Sequence, residues 1–313
     1  MEVIRDINKS GIQPCVATIG FFDGVHRGHR FLIEQVKRVA LEEGLRSALI
    51  TFPIHPRKVM LKDYQPQLLS TPKEKVELLA STGADYCVML DFTPQLAQLS
   101  AKEFMEDVLK KQLNVRTLVI GYDHRFGHNR SEGFEDYCRY GEEIGINVIR
   151  AEACVIDDIN VSSSVIRHLL QNGEMGKANK CLGYEYYLDG TVVDGYKVGR
   201  TIGFPTANLK VEDADKLVPA DGVYAVKVDV AGQEHFGMLS IGLRPTINNG
   251  TNRSIEVNIF DFSSNIYDKF IRITFVEYTR PELKFDSLEA LIDRLHEDEK
   301  IIREIFKDYT NKN

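Results

Sequence analysis

The feature that most constrains this chain is the stretch from Val16 to Arg30, VATIGFFDGVHRGHR. A run of apolar and β-branched residues leads into Gly20, and apolar residues at helical spacing follow until Gly44, a residue type that often ends helices. The pattern predicts a strand, a glycine turn and a helix in direct succession. A helix start therefore lies immediately beyond a strand end.

This turn, which we call the histidine turn (residues 20–29), is suited to binding a phosphate group. Gly20, Gly24 and Gly28 let backbone approach a ligand, while His26 and His29 project to one side of the helix start. Backbone N–H groups and the helix dipole favour an anion there, and imidazoles can donate hydrogen bonds to a phosphate whose charge rises in a transition state. The alternative, two ordinary surface histidines, is less favoured because strand, glycines and spacing occur together.

Length and composition indicate a cytoplasmic protein of two domains. The 313 residues suffice for two cores, and the formal charge of −7 argues against a general nucleic-acid surface. No apolar run approaches the ~20 residues of a membrane span, and no secretory leader opens the chain. The five cysteines are widely spread and never form a CxxC pair, so we expect reduced, mostly buried thiols.

Strands and helices alternate through the first half of the chain. Short apolar strands are predicted at residues 47–52, 85–90 and 115–121, and helices begin at Thr71 and Ser100, each with a glutamate three residues later that completes a capping box. Strands that are apolar throughout favour a parallel sheet covered by helices on both faces. Ligands of such sheets bind beyond the carboxyl ends of the strands.

Three further segments of this half carry candidate residues. Residues 53–60, PIHPRKVM, place His55 in what we predict to be a stiffened loop without helix, because proline disfavours helix. Residues 121–133, GYDHRFGHNRSEG, follow a strand, although composition alone would allow any surface loop. The serines of residues 161–173 can cap a helix and form a second anion site, although one N-cap serine with two bystanders is the simpler interpretation of that run alone.

The pattern changes near Gly183 to short β-rich runs separated by glycine turns, which predicts an antiparallel barrel or sandwich as a second domain. A structural helix follows from about Ser287, with Asp286 and Glu289 as its start signal. Within the predicted barrel domain, residues 195–210, GYKVGRTIGFPTANLK, lack the glycine spacing and the lysine of a P-loop. A proline turn between strands is the plain alternative for this segment.

Five motifs in order resemble those of one family, the bacterial bifunctional riboflavin kinase/FAD synthetases. GFFDGVHRGH is similar to the signature of the HxGH nucleotidyltransferases, GYDHRFG to the flavin-holding loop GxDFxFG, and SSSVIR to the triphosphate-binding element SSSxIR. GRTIGFPTAN is similar to the riboflavin kinase signature, and SIEVNIF contains the glutamate that matches the family's base. The resemblance implies a Rossmann-like nucleotidyltransferase domain over residues 1–183 and a riboflavin kinase barrel with a terminal helix over residues 184–313.

The resemblance also implies site residues. In the adenylyltransferase, catalysis would involve His26 and His29, and substrate binding would involve Gly20, Phe21, Asp23, Gly24, Gly28, His55, Asp123, Arg125, Phe126, Ser162, Ser163, Ser164 and Arg167. In the kinase, Glu256 would be the base, and the nucleotide and substrate would contact Gly199, Arg200, Gly203, Pro205, Thr206 and Asn208. Thr206 and Asn208 would also bind Mg²⁺. Departures from the family pattern stand at Ile54, His124, Asp194 and Asn258.

The expected reactions are phosphorylation of riboflavin to FMN by ATP and adenylylation of FMN to FAD with release of pyrophosphate. Both steps are expected to need Mg²⁺, with small molecules as the partners, no nucleic acid and no membrane; monomer and weak homo-oligomer both remain open. One alternative is an enzyme that retains only one activity. Another is a flavin or metal sensor that uses His26, His29, His55 and His124 as ligands.

Overall fold

The structure is a computed structural model that describes residues 1–7, 11–61, 63–121, 124–128, 131–156, 159–195, 198–245 and 251–312. Internal contacts divide the chain into two compact units, Met1–Ser163 and Ser164–Asn313. The motif-based boundary between residues 183 and 184 lies two helices farther along the chain and stays a prediction.

The first unit is built on six parallel strands. They are β1 (Glu2–Ile4), β2 (Cys15–Ile19), β3 (Arg46–Thr51), β4 (Tyr86–Met89), β5 (Val115–Ile120) and β6 (Asn147–Arg150). Their spatial order is β1-β4-β3-β2-β5-β6, and all neighbouring pairs are parallel. The predicted parallel sheet is confirmed, while β1 was missed because three residues carry too little pattern.

Helices cover both faces of this sheet. They are α1 (Arg27–Glu43), α2 (Pro56–Met60), α3 (Pro72–Ala80), α4 (Pro94–Gln98), α5 (Ala101–Glu103, continued by a π-helical segment Phe104–Gln112) and α6 (Phe134–Ile144), and a small hairpin follows as β7 (Val155–Ile156) and β8 (Ile159–Asn160). Val16 packs with Val36 of α1, whereas the next residue, Ala17, packs in the cluster of α5. Successive strand residues point to opposite faces, so β2 is buried on both sides.

Local sequence signals decide several helix starts. The capping boxes predicted at Thr71 and Ser100 are both confirmed. The prediction of a helix-free loop at residues 53–60 was wrong, because His55 is the N-cap of α2 and accepts a hydrogen bond from the Arg57 N–H at 3.1 Å. Pro56 occupies the first helical position, where proline has no N–H to lose and its fixed φ suits the helix.

The second unit is a closed barrel with helices around it. It contains α7 (Ser163–Gln171), α8 (Met175–Leu182), β9 (Tyr187–Val193), α9 (Val198–Thr201), β10 (Ala207–Val211), β11 (Gly222–Val230), β12 (Gln233–Pro245), β13 (Thr251–Ile259), β14 (Phe270–Arg280) and α10 (Leu288–Lys312). The six strands close in the order β10-β13-β12-β11-β14-β9, all antiparallel. Of the two predicted possibilities, the barrel is therefore confirmed.

The last helix, α10, packs on the outer face of the barrel. Its residues Ile302 and Phe306 share an apolar cluster with Val223 and Met238 of the barrel wall. Its predicted start signal was one residue too early, because the Ser287 hydroxyl, not the Asp286 carboxylate, accepts the hydrogen bond from the first helical turn. Within the ranges given above, no helix combines the length and apolar character needed to cross a bilayer.

The cysteines are all free thiols. Cys15, Cys87 and Cys181 are buried, and burial raises the pKa of Cys15 to about 12 and of Cys87 to about 11. Such thiols stay protonated at neutral pH and are unreactive. The predicted reduced, mostly buried cysteines are confirmed.

Candidate active sites

The histidine turn lies where the sequence places it, between the carboxyl end of β2 and the start of α1. His26 is the N-cap of α1, and its Nδ1 accepts a hydrogen bond from the His29 N–H at 3.2 Å. The two imidazole rings stack, with centroids 3.6 Å apart and planes at 17°. A side chain at Gly28 would lie 3.1 Å from the His26 ring and from the Val161 carbonyl, so glycine gives the His26 ring close access to the backbone.

His29 is held in its neutral form. Burial lowers the pKa of His29 well below its usual value, and electrostatic interactions with His26, His124 and Lys75 lower it further. Its Nδ1 atom is buried and has no hydrogen-bond partner among the described residues. A neutral imidazole still has one N–H to donate, and a buried ring nitrogen left without a partner is a position that a ligand can satisfy.

The backbone of the turn is strained, and a buried carboxylate fastens it. Phe22 and Val25 have φ of 54° and 37°, in the left-handed region that side-chain-bearing residues rarely adopt. Asp23 is 2% exposed, and its Oδ1 accepts hydrogen bonds from the Leu69 N–H at 2.9 Å and the Ser70 N–H at 3.1 Å. The carboxylate predicted to contact substrate thus anchors the turn to the segment before α3.

An aromatic wall flanks the histidine turn. The Phe21 ring meets the His55 ring edge-on with centroids 4.7 Å apart, and the Tyr64 ring lies 5.2 Å beyond His55. The Lys75 ammonium sits 3.9 Å above the Phe21 ring. The sequence analysis missed Lys75, although its spacing of four residues from the buried Leu79 on α3 could have placed it on the inner face of that helix.

The loop after β5 contributes residues of different exposure. Asp123 lies outside the described residues. Arg125 is exposed, while Phe126 is buried and stacks on Tyr137 with centroids 4.2 Å apart. His124, where the family has Phe, interacts electrostatically with His29 and helps to lower its pKa. Phe126 therefore shapes the loop from the apolar core, and its contact with flavin remains a prediction.

The serine run starts at the end of the first unit. The Ser163 hydroxyl donates a hydrogen bond to the Asp23 carbonyl at 3.1 Å, which ties the run to the histidine turn. Ser162 is half-buried. Farther along, Ser164 is exposed and Arg167 is half-buried on α7.

The second candidate site lies on the barrel. Asn208 of β10 is the strand partner of Glu256 on β13, and the Thr206 hydroxyl donates a hydrogen bond to Glu256 Oε2 at 3.2 Å. The preceding turn includes Gly203, whose φ of 86° suits glycine, and the exposed Pro205. The structure thus brings three predicted polar residues together, Asn208 and Glu256 on neighbouring strands and Thr206 directly before β10.

Gly199 and one of the departures from the family pattern, Asn258, have structural explanations. A side chain at Gly199 would lie 2.2 Å from the Phe204 carbonyl, so the backbone of α9 packs directly on the turn, with Arg200 exposed beside it. Asn258, where the family often has histidine, donates a hydrogen bond from its amide to the Pro205 carbonyl at 2.7 Å. The substitution therefore holds the signature turn in place.

Two cavities adjoin Thr206 on opposite sides of the barrel wall. One, of about 320 Å³, is lined by Glu256 and Asn258 and by apolar residues of α10. The other, of about 470 Å³, is lined by Val257, Ile259 and Arg200. Alternate residues of a strand face opposite sides, so Glu256 and Val257 open onto different spaces. Thr206 lines both cavities and is their common boundary.

Comparison with known proteins supports two activities. Residues 8–165 match the family model described as FAD synthetase, and residues 182–306 match the one described as riboflavin kinase. The bifunctional riboflavin kinase/FMN adenylyltransferase of Listeria monocytogenes is 40% identical over 304 residues, 96% of this chain and 93% of its own. Proteins of the same name from Escherichia coli K12 and Bacillus subtilis are 34% and 36% identical, and cover 98% and 91% of this chain and 98% and 90% of their own.

A solved structure shares the whole fold. A crystal structure described as a macrolide-efflux protein from Streptococcus pneumoniae has a TM-score of 0.86 and 34% identity, and it covers 96% of this chain and 98% of its own. Its description differs from the names of the curated relatives. Only the fold is taken from it, because the two family models and the relatives agree on a single pair of activities.

Proposed function

Because this chain belongs to the family of bifunctional riboflavin kinases/FMN adenylyltransferases, it has both enzyme activities, and we propose that each is confined to one domain. The domain of residues 184–313 transfers the γ-phosphoryl group of ATP to riboflavin and releases FMN and ADP. The domain of residues 1–183 transfers the adenylyl group of a second ATP to FMN and releases FAD and pyrophosphate. The partners are small molecules in the cytoplasm.

The contact between Thr206 and Glu256 is the observation that carries the kinase assignment. An alcohol is a poor nucleophile, and Glu256 is the carboxylate that takes the proton of the riboflavin hydroxyl as the new P–O bond forms. Riboflavin occupies the 320 Å³ cavity, because Glu256 and the apolar side chains of α10 line it. ATP occupies the other cavity, where Arg200 and Thr206 face its phosphates. Gly199, Gly203 and Pro205 shape the turn over the nucleotide.

Thr206 and Asn208 provide a set of ligands that fits Mg²⁺. The Thr206 hydroxyl and the Asn208 amide oxygen are hard oxygen ligands, which Mg²⁺ prefers. The Thr206 hydroxyl is hydrogen-bonded to the Glu256 carboxylate. Asn208 packs closely against Gly195, where a side chain would lie 2.1 Å from the Asn208 amide nitrogen. Bound Mg²⁺ would neutralise charge on the ATP phosphates. Thr206 and Asn208 would hold it, and Glu256 would act as the base.

The adenylyltransferase needs charge stabilisers and no strong base. The FMN phosphate is already ionised at neutral pH, so it attacks the α-phosphorus of ATP directly as the bond to pyrophosphate breaks. His26 and the neutral His29 donate hydrogen bonds to the phosphate oxygens as their charge increases. The backbone at Gly20, Gly24 and Gly28 leaves room for the phosphates, and Asp23 holds the turn. The triphosphate is bound by Ser162, Ser163, Ser164 and Arg167. The flavin is contacted by Phe21, His55, Asp123, Arg125 and Phe126.

A time course with riboflavin, ATP and Mg²⁺ tests the assignment, with FMN and FAD separated by chromatography. FMN should appear first and FAD after it, and omission of Mg²⁺ should stop both steps. FMN that is never converted would contradict an active histidine turn. Lack of product from riboflavin, together with FAD from added FMN, would contradict an active kinase.

The sensor alternative receives no support from the geometry. In the parts of the chain that the structure describes, no group of three His, Cys, Asp or Glu side chains could hold a metal ion. His26 Nδ1 instead accepts a backbone hydrogen bond, and His55 Nδ1 does the same. Loss of one activity is tested by the two separate assays above.

A further inference from the structure

Lys75 is a buried cation that is not among the site residues predicted from the sequence. Its side chain lies on the inner face of α3, and the residue is 2% exposed. Its ammonium donates hydrogen bonds to the carbonyl oxygens of Phe52, at 2.6 Å, and Phe21, at 3.2 Å. An ammonium is expensive to bury, and both of its hydrogen bonds go to neutral groups rather than to a carboxylate. Such a group calls for an explanation beyond packing.

The two carbonyls mark the carboxyl ends of the central strands. Phe21 lies two residues beyond β2, and Phe52 directly follows β3. The Phe21 carbonyl also accepts a hydrogen bond from the Thr51 hydroxyl at 3.1 Å. Lys75 therefore ties together the two strand ends at the edge of the sheet where ligands of such folds bind.

The same ammonium also fixes a side chain of the aromatic wall. It lies 3.9 Å above the Phe21 ring, which is within the range of a cation–π contact, and that ring in turn meets His55. One group thus restrains both the backbone and the side chain of Phe21, at the start of the histidine turn. A displacement of about 1 Å at such a place can cost on the order of a hundredfold in rate.

Lys75 is coupled electrostatically to the reacting histidine. Its charge lowers the pKa of His29, whereas Asp23 and Cys87 act electrostatically on Lys75 itself and raise its pKa against the larger effect of burial. Burial is the largest cause of the lowered pKa of His29, and the Lys75 charge adds to it. Removal of the Lys75 charge should therefore raise the pKa of His29.

We propose that Lys75 is a positioning residue for adenylyl transfer, which fixes the two strand ends and the Phe21 ring. The proposal rests on the proposed function of the first domain. Lys75 belongs to the first unit, whereas the kinase signature and Glu256 belong to the second, so the proposal predicts an effect on one activity alone.

Two variants of the full chain test it. Lys75→Met removes charge and hydrogen bonds, whereas Lys75→Gln keeps two N–H donors without the charge; Lys73→Met, an exposed lysine of the same helix, is the control. We expect kcat for FAD formation from FMN to fall roughly tenfold to hundredfold in Lys75→Met and less in Lys75→Gln. FMN formation from riboflavin should be unchanged in all three.

NMR titration of the His29 imidazole provides a second measurement. A purely structural role of Lys75 would leave the pKa of His29 unchanged. Its pKa should rise in Lys75→Gln and stay unchanged in Lys73→Met. Wild-type rates of FAD formation in Lys75→Met would overturn the positioning role. An unchanged His29 pKa in Lys75→Gln would contradict the electrostatic coupling between Lys75 and His29. If Lys75→Met does not fold, the rate and titration of Lys75→Gln decide. Failure of the wild-type chain itself to make FAD from FMN would instead contradict the proposed function.

Discussion

At the scale of single residues, the two proposed sites carry different chemical groups, as their different nucleophiles would require. The histidine turn presents stacked imidazoles, one of them held neutral, and suits a phosphate nucleophile that needs no deprotonation. The barrel presents a carboxylate beside a hydroxyl, and suits an alcohol that must lose a proton. Single substitutions should therefore separate the two activities.

Replacement of His29 by alanine should lower FAD formation from FMN by about a hundredfold to a thousandfold, because a hydrogen-bond donor to the transition state is lost. FMN formation from riboflavin should remain at the wild-type rate, as measured by separate assays of each step. His168→Ala, an exposed histidine, is the matched control. An equal fall in both activities would contradict two separate sites.

Replacement of Glu256 by glutamine should have the opposite selectivity. The kinase rate should fall by about a hundredfold to ten-thousandfold, because the amide cannot accept the proton, while FAD formation from added FMN continues. Glu277→Gln, an exposed glutamate on β14, should leave both rates unchanged. A full kinase rate in Glu256→Gln would remove its assignment as base.

At the scale of elements, α10 is held on the barrel by a buried carboxylate. Asp298 is 1% exposed and accepts hydrogen bonds from Arg280 of β14, the shortest at 2.6 Å, and from Arg294 at 2.9 Å. Because α10 lines the cavity assigned to riboflavin, this attachment links the stability of the barrel to the shape of the kinase site.

Asp298→Ala should lower the free energy of unfolding of the second unit by about 3 kcal/mol, because it leaves buried arginine charge without its partner. Kinase activity should fall with it, whereas adenylyl transfer should not. Denaturant unfolding and the two assays measure these effects. Asp293→Ala, an exposed aspartate of the same helix, should have no effect, and a stable Asp298→Ala barrel would refute the attachment.

Asp85 joins β3 to β4 in a pH-dependent way. Partial burial raises the pKa of Asp85, but hydrogen bonds from the N–H and hydroxyl of Ser47 and from Arg46 outweigh it and leave the pKa below its usual value. A carboxyl group with a depressed pKa stabilises the fold above its unfolded pKa, and this contribution disappears as the pH falls through the folded pKa.

Asp85→Asn should therefore cost about 1 kcal/mol of unfolding free energy at neutral pH and progressively less as the solution becomes acidic. Unfolding curves of both proteins between neutral and acidic pH measure the difference. Asp91→Asn, at an exposed position of the same unit, provides the control. A difference that is independent of pH would show that charge is not responsible.

Sequence patterns predicted the elements whose signals are local. The capping boxes at Thr71 and Ser100, the parallel strands and the terminal helix all depend on residues within one or two turns. Other features could not be predicted from such local patterns. The burial of Lys75 and the anchoring of Asp23 by residues 69–70 depend on contacts across the fold, and the helix at Pro56 was missed because proline was treated as a breaker rather than as a first residue.

At the scale of the whole molecule, the two proposed domains should work without each other. A mixture of His29→Ala and Glu256→Gln chains should make FAD from riboflavin after a lag, because FMN released by the first chain can serve the second. Chromatography of the mixture against each variant alone measures it. Absence of FAD from the mixture, with both remaining activities intact, would mean that FMN does not leave the chain that makes it.

The strained backbone of the histidine turn restricts how this motif can be moved or copied. Phe22 and Val25 keep left-handed conformations because Asp23 is fastened to residues 69–70, which lie far along the chain. A short peptide with the same residues would relax to ordinary φ values, and the imidazole rings would separate. Transplanting the motif into another strand–helix scaffold therefore requires the distant anchor to be transplanted as well.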